Sequence, residues 1–229
     1  TGQGTDQGGI TISSGVFSKT VAGFEDPSFT GNAGNISITG QSIEVSNGAR
    51  VDSSSQLFAL GNAGNIILTA PTVTVNGGTI STSTEFAGQA GTITVDATNA
   101  VTMNHASITT SSTGLGNAGD IHITAGQTFT ATDSSVTTQA DAASGGTIKI
   151  TTNPSGTVQL TNSLISASVL DGTGGGGSVN IDPQYVILLN SQILANAVRG
   201  PGGIISITTN LLLQDAYSVI SASSQFGVN

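Results

Sequence analysis

Cysteine and tryptophan are absent from this 229-residue chain, proline occurs five times, aromatic residues make up 4% and charged residues only 7%. Ordinary globular proteins carry charge on roughly a quarter of their residues. The four basic residues, Lys19, Arg50, Lys149 and Arg199, are scattered among thirteen acids, so no patch could neutralise a run of phosphates and nucleic acid is excluded as a partner. The net charge of −9 opposes binding to an anionic membrane surface. No apolar run approaches the ~20 residues that span a bilayer, so membrane insertion is not expected. Without cysteine there is no disulfide framework, and such a chain can cross a membrane unfolded. The sequence starts on Thr1 and has no charged start followed by an apolar stretch, so it reads as an interior segment.

What is present is glycine, 32 residues of it, with Ser, Thr and Asn throughout, and 36% hydrophobic residues dominated by Val, Ile, Leu and Ala. That is too apolar for ordinary disorder. The phrase Gly-Asn-Ala-Gly-Asn/Asp-Ile occurs at 31–36, 61–66 and 116–121, with the variant Gly-Gln-Ala-Gly-Thr-Ile at 88–93. Shorter Gly-Gly forms precede Ile148, Val179 and Ile204. Taking Ile10, Ile36, Ile66, Ile93, Ile121, Ile148, Val179 and Ile204 as anchors gives a period of about 28 residues.

Each period holds three short alternating segments. In the coil after residue 93 these are Ile93-Thr-Val95, Val101-Thr-Met103 and Ile108-Thr-Thr110; in the coil after 148, Ile148-Lys-Ile150, Val158-Gln-Leu160 and Ile165-Ser-Ala167. For the last coil the same division gives Ile204–Ile207 with one extra residue, Leu211–Leu213 and Ile220–Ala222. Alternation over three to five residues between Gly and Asn specifies strand. A strand this short cannot bury its apolar side alone but can stack on its copy in the next coil. The predicted fold is therefore all-β: a parallel β-helix (solenoid) with three short strands per coil and about seven to eight coils of ~28 residues, right-handed by the general preference of parallel crossovers. Val51, Ile80, Ile108, Val136, Ile165, Ile193 and Ile220 should form one inward column.

The turn residues fit the same plan. Asn47, Asn76, Asn104, Asp133, Asn162 and Asn190 recur between the second and third strands, where Asx side chains tolerate left-handed backbone and can stack into a ladder. Asn32, Asn62 and Asn117 mark a second ladder beside the glycines. Length varies after the third strand, as at Gln56–Leu60 and Ser168–Gly174, so loops should gather on one edge. Residues 1–30 depart from the pattern around Phe17 to Phe29 and are expected to be an irregular first coil or cap, with residues 31–229 as one continuous repeat domain.

The Gly-Asn-Ala-Gly-Asn-Ile phrases, the alternating segments after them and Ile220-Ser-Ala-Ser-Ser224 resemble the repeats of filamentous-haemagglutinin-like bacterial exoproteins exported by two-partner secretion. The resemblance covers the chain from about residue 31. It implies an extracellular or cell-surface location, export unfolded through an outer-membrane transporter, and a structural or adhesive role as rigid spacer or filament module, in contact with host or surface glycan or protein. It brings no catalytic, cofactor or metal residues.

The residues offer little chemistry of their own. Hydrolytic β-helices need clustered carboxylates. Here Asp52 stands outward with Ser81, Thr109 and Thr137 as counterparts, and Glu44 is followed by Thr74, Thr102 and Thr130, so both read as solvated acids. His122, near Asp120, and His105, beside Asn104, fall on different faces and make a poor metal pair. Gly174–Val179 puts Val where a calcium-binding solenoid repeat needs Asp. A non-catalytic protein is therefore expected, with a carbohydrate-binding or carbohydrate-cleaving β-helix as alternative. Outward hydroxyl ranks suit an ice-binding solenoid less well, because Asp52, Gln159, Ile187 and Leu194 interrupt them. Ile187, Leu189, Leu194 and Leu212 fall at positions that earlier coils turn outward, which predicts self-association there or end to end.

Overall fold

A computed structural model describes residues 9–22 and 31–227, and every regular element among them is a β-strand. The first coil contributes β1 (Ile10–Ile12) and β2 (Gly15–Ala22). The second has β3 (Ile36–Thr39), β4 (Ile43–Ser46) and β5 (Arg50–Leu57). In the next two coils β6 (Ile66–Asn76) and β8 (Ile93–Asn104) run round the corner between the first two faces, and β7 (Thr79–Thr84) and β9 (Ser107–Ser112) follow them. The fifth coil has β10 (Ile121–Ala125), β11 (Thr128–Thr132) and β12 (Ser135–Ala140); the sixth β13 (Thr147–Thr152), β14 (Thr157–Thr161) and β15 (Leu164–Val169). The last two are β16 (Ser178–Asp182), β17 (Tyr185–Leu189), β18 (Gln192–Leu194), then β19 (Ile204–Ile207), β20 (Leu211–Gln214) and β21 (Val219–Ser221).

Every pairing is parallel and joins a strand to its counterpart one coil away, so the chain is a three-faced solenoid of about seven turns. One register shift interrupts it, between Ala70 and Thr72 of β6, where β8 carries an extra residue. Pro71 sits at that bulge, the place in a sheet where a missing N–H is tolerated.

Alternation sends five aliphatic columns inward. The predicted third-face column Val51, Ile80, Ile108, Val136, Ile165, Ile193 and Ile220 stacks in that order, and its members up to Ile193 are buried. On the second face Phe129 is fully buried in a column of valines, and its neighbour inside the coil is the small Ala131, over which Met103 lies. Volume is traded within the coil, as a close-packed interior requires.

Three readings of register need correction. Ile10 pairs with Ile43, so it belongs to the second face and not to the anchor column of Ile36. Val179 lies over Ile205, with Ile204 turned outward over Ser178. Leu212 lies over Val186, an inward position, while Leu211 and Leu213 take the outward places over Tyr185 and Ile187. Paired apolar residues at 204–205 and 211–213 satisfy either register on hydrophobicity alone. The glycines and Gln184 decide it: Ile204 N donates to Gly177 O at 3.1 Å and Asn210 N to Gln184 O at 3.0 Å. Residues 10–12 and 15–22 of the segment expected to be an irregular coil or cap pair in register with β4 and β5; residues 1–8 and 23–30 lie outside the described residues.

The corners are held by side chains that reach from one coil to the next. In the Gly-Asn-Ala-Gly-Asn phrase both asparagines accept a backbone N–H: Asn32 Oδ1 from Asn62 and Asn35 Oδ1 from Asn65, each at 2.8 Å. Asn62 and Asn65 repeat this toward Gln89 and Thr92, and Asn117 and Asp120 toward Ser144 and Thr147. The glycines are there because the coils touch. A Cβ at Gly64, Gly91 or Gly119 would strike the carbonyl of the equivalent glycine one coil before.

The corner between second and third faces has a left-handed residue in each described coil from the second to the seventh: Asn47, Gly77, His105, Asp133, Asn162 and Asn190, with φ between 46° and 67°. The expected Asx ladder is present in two pieces. Asn104 Nδ2 donates to Asn76 Oδ1 at 3.3 Å; Asn190 Nδ2 donates to Asn162 Oδ1 at 2.9 Å, and Asn162 Nδ2 to Asp133 Oδ1 at 3.1 Å. Asn76 and Asn104 stand one residue before the left-handed site, and His105 joins the pieces, 2.9 Å from Asn104 Oδ1 and 3.6 Å from Asp133 Oδ2.

Directly after this site runs a buried serine ladder. Ser134, Ser163, Ser191 and Ser218 accept the N–H of Ala106, Ser134, Ser163 and Ser191 in turn, at 3.0–3.1 Å. The hydroxyls of Ser134, Ser163 and Ser191 turn back onto Thr132, Thr161 and Leu189 carbonyls at 2.6–2.8 Å.

Candidate functional site

The sequence-nominated acids do not converge. Glu44 is half-buried on the second face, stacked between Thr11 and Thr74. Asp120 spends its Oδ1 on the Thr147 N–H at 2.7 Å. His122 stands on the first face between Thr94 and Lys149, away from the corner that holds His105. Among the described residues no group of three or more His, Cys, Asp or Glu could hold a metal ion.

Asp52 departs from expectation. It lies on the outward side of β5, in register with Phe17 and Ser81, but is only 2% exposed and is not a solvated acid. Its carboxylate accepts the Ser81 hydroxyl at 2.6 Å and the Ser54 hydroxyl at 3.1 Å, and Lys19 Nζ lies 3.7 Å away, itself 5.3 Å from the centre of the Phe17 ring. The first coil supplies Lys19 and the third supplies Ser81, so the acid is tied into its neighbours on both sides. Nothing in this arrangement is open to a substrate.

Also unforeseen is a row of hydroxyls inside the third face. Ser53, Thr82 and Thr110 occupy inward positions two residues after the aliphatic column and donate to the carbonyls of Gly34, Gly91 and Gly119 at 2.7–3.0 Å. These three hydroxyls meet the bare backbone of the glycine corner; at the same position in the fifth coil the buried Thr138 hydroxyl has no partner among the described residues. From the sixth coil onward the position becomes Ala167 and Ala195, both buried.

The outward hydroxyl ranks exist as predicted: Thr74, Thr102 and Thr130 on the second face, and Ser81, Thr109, Thr137 and Ser166 on the third, with Thr137 Oγ1 donating to Thr109 Oγ1 at 3.0 Å. The predicted apolar cluster does not form as one patch. Leu212 is inward, Leu194 is on the third face, and only Ile187 and Leu189 share the outer second face, joined there by Tyr185, Leu211 and Leu213.

A concavity lies on the outer third face, a groove of ≈ 610 Å³ across β12, β15 and β18 and the residues that follow β18 and β21. Strand geometry places Gln139, Ser168, Asn196 and Ser223 in one axial file along its floor, since each lies at the equivalent position of successive coils. Thr137, Ser166 and Leu194 form a parallel file, and loop residues Leu170, Val198 and Gln225 stand beyond. No ionisable side chain lines the groove. The arrangement offers hydrogen bonds and aliphatic contact, but no acid, base or nucleophile-activating partner.

Comparisons with protein-family models, with curated proteins and with solved structures give no match.

Proposed function

We propose that the chain is a structural and adhesive segment of a secreted bacterial surface protein, a rigid spacer that carries binding regions away from the cell. The observation that supports this most is the repetition of the same corner bonds from coil to coil. The Asn pairs of the glycine corner, and the Asx and serine ladders of the corner between second and third faces, all cross between neighbours, so bending the rod stretches bonds at two of its three corners. About eight levels at ~4.8 Å give a rod of roughly 35–40 Å for this segment. Dispersal of the acids argues against hydrolysis or elimination. The likeness to filamentous-haemagglutinin-type repeats supports surface location after export through an outer-membrane partner.

Antibodies raised against residues 31–229 should label intact, unpermeabilised cells that make the protein, and electron microscopy should place the label on extended surface material. Labelling only after permeabilisation, or release of sugar fragments when the purified chain is incubated with polysaccharides, would refute the reading.

A further inference from the structure

Asn196 sits at the middle of the third-face groove with its carboxamide oxygen fully engaged. Oδ1 accepts the Ser223 N–H at 2.9 Å, the Ser223 hydroxyl at 3.0 Å and the Ser221 hydroxyl at 3.2 Å, while the Asn196 N–H donates to Ser168 Oγ at 3.3 Å. A carboxamide oxygen with three donors is saturated, so the group is pinned with Nδ2 at its free end. Among the described residues Nδ2 has no partner. The Gln139 amide, two coils and therefore ~10 Å away along the same file, has none either. Two amide donors thus face one groove at an axial spacing set by the backbone, with the Ser166 and Ser168 hydroxyls, bonded to each other at 2.8 Å, between them and Leu164, Leu170 and Leu194 alongside.

The lining selects the class of ligand. A charged group entering here would lose water and meet no counter-charge, which is costly. An extended peptide adds to a sheet through an unpaired strand edge, but β15 and β18, at the centre of the floor, are paired on both sides. Groups that donate and accept at each level of a long, uncharged trough suit a chain of hydroxyls. We propose that this groove binds a neutral polysaccharide lying along the solenoid axis, with Asn196 and Gln139 donating to its hydroxyl or ring oxygens and the leucines covering its C–H faces. The proposal goes beyond the spacer reading and does not depend on it.

The test is affinity electrophoresis of the intact chain through gels containing dextran, mannan, galactomannan or xyloglucan, with alginate as an anionic control. Retardation by at least one neutral polysaccharide is expected, unchanged between about 0.05 and about 0.5 M salt because no charges are screened. Asn196→Ala and Gln139→Ala should each weaken it about three- to tenfold, the value of one hydrogen bond. Gln139 makes no side-chain hydrogen bond among the described residues, so its loss leaves the coil intact. Retardation by alginate alone, by none of the polysaccharides, or equally for parent and both variants overturns the proposal. None of these results bears on whether the chain is a surface rod.

Discussion

Replacing Ser163 with alanine removes one rung from the buried serine ladder, and the consequence can be worked out atom by atom. Ser163 is 5% exposed; its Oγ accepts the Ser134 N–H at 3.1 Å and donates to Thr161 O at 2.8 Å. Thr161 O keeps a second partner in Asp133 N at 3.0 Å, so the carbonyl stays satisfied. The Ser134 N–H does not, and a buried donor left without an acceptor costs about 1–3 kcal/mol. The reverse change makes the argument sharper. Ala106 occupies the same corner position one coil before Ser134, and Ala106→Ser should extend the ladder toward Gly78 and stabilise by about 0.5–1.5 kcal/mol. Urea unfolding followed by circular dichroism would measure both. If Ser163→Ala shifts stability by no more than the ~0.5 kcal/mol typical of surface substitutions, the ladder is ornament and the reasoning fails.

Ile108→Ala hollows the third-face column between Ile80 and Val136 and should cost about 2–5 kcal/mol in the same assay; a smaller loss would mean that neighbouring coils collapse into the space. Gly91→Ala places a methyl against the Gly64 carbonyl, and separation of the two coils there should show as faster amide exchange at Ala63 and Ile66; unchanged exchange would contradict the close approach. The Asp215 carboxyl is held below its usual range, chiefly by the Ser218 hydroxyl; burial comes next and acts the other way, and the N–H groups of Asn190, Ser218 and Tyr217 lower it further. A carboxyl lowered on folding stabilises above its unfolded pKa of 3.8 and loses that contribution as pH falls through the folded value, so β20 and the turn after it should loosen only below about pH 4. A carbon-detected titration of Asp215 with a midpoint at or above 3.8 would refute this.

The sequence discloses whatever repeats in apolar residues or in glycine. Ile93-Thr-Val95, Val101-Thr-Met103 and Ile108-Thr-Thr110 lie on three faces as their alternation requires, because stacking leaves only one register in which all three are inward. The Asn of the glycine phrase was legible as a ladder for the same reason. The serine ladder was present in the letters too, as Asp133-Ser134, Asn162-Ser163 and Asn190-Ser191, but serine after an Asx residue looks like ordinary turn composition. Its burial depends on the next coil stacking over that corner. Likewise Ser53, Thr82 and Thr110 read as strand-face hydroxyls until the bare glycine corner is seen opposite them. Asp52 looked solvated because Lys19 is 33 residues away in sequence and only the β2–β5 pairing brings it near. The groove was invisible for a related reason: Gln139 and Asn196 acquire a common axis only once coils are stacked.

The corner bonds have an evolutionary consequence. At the serine corner the group each winding offers to the one before it is the same group that it requires from the one after. A gene that duplicated or excised one whole winding would therefore join surfaces that already match, with no orphaned donor at the seam. Reach is consequently a freely adjustable trait of such an architecture, tuned by recombination between near-identical units while the chemistry of every junction stays constant.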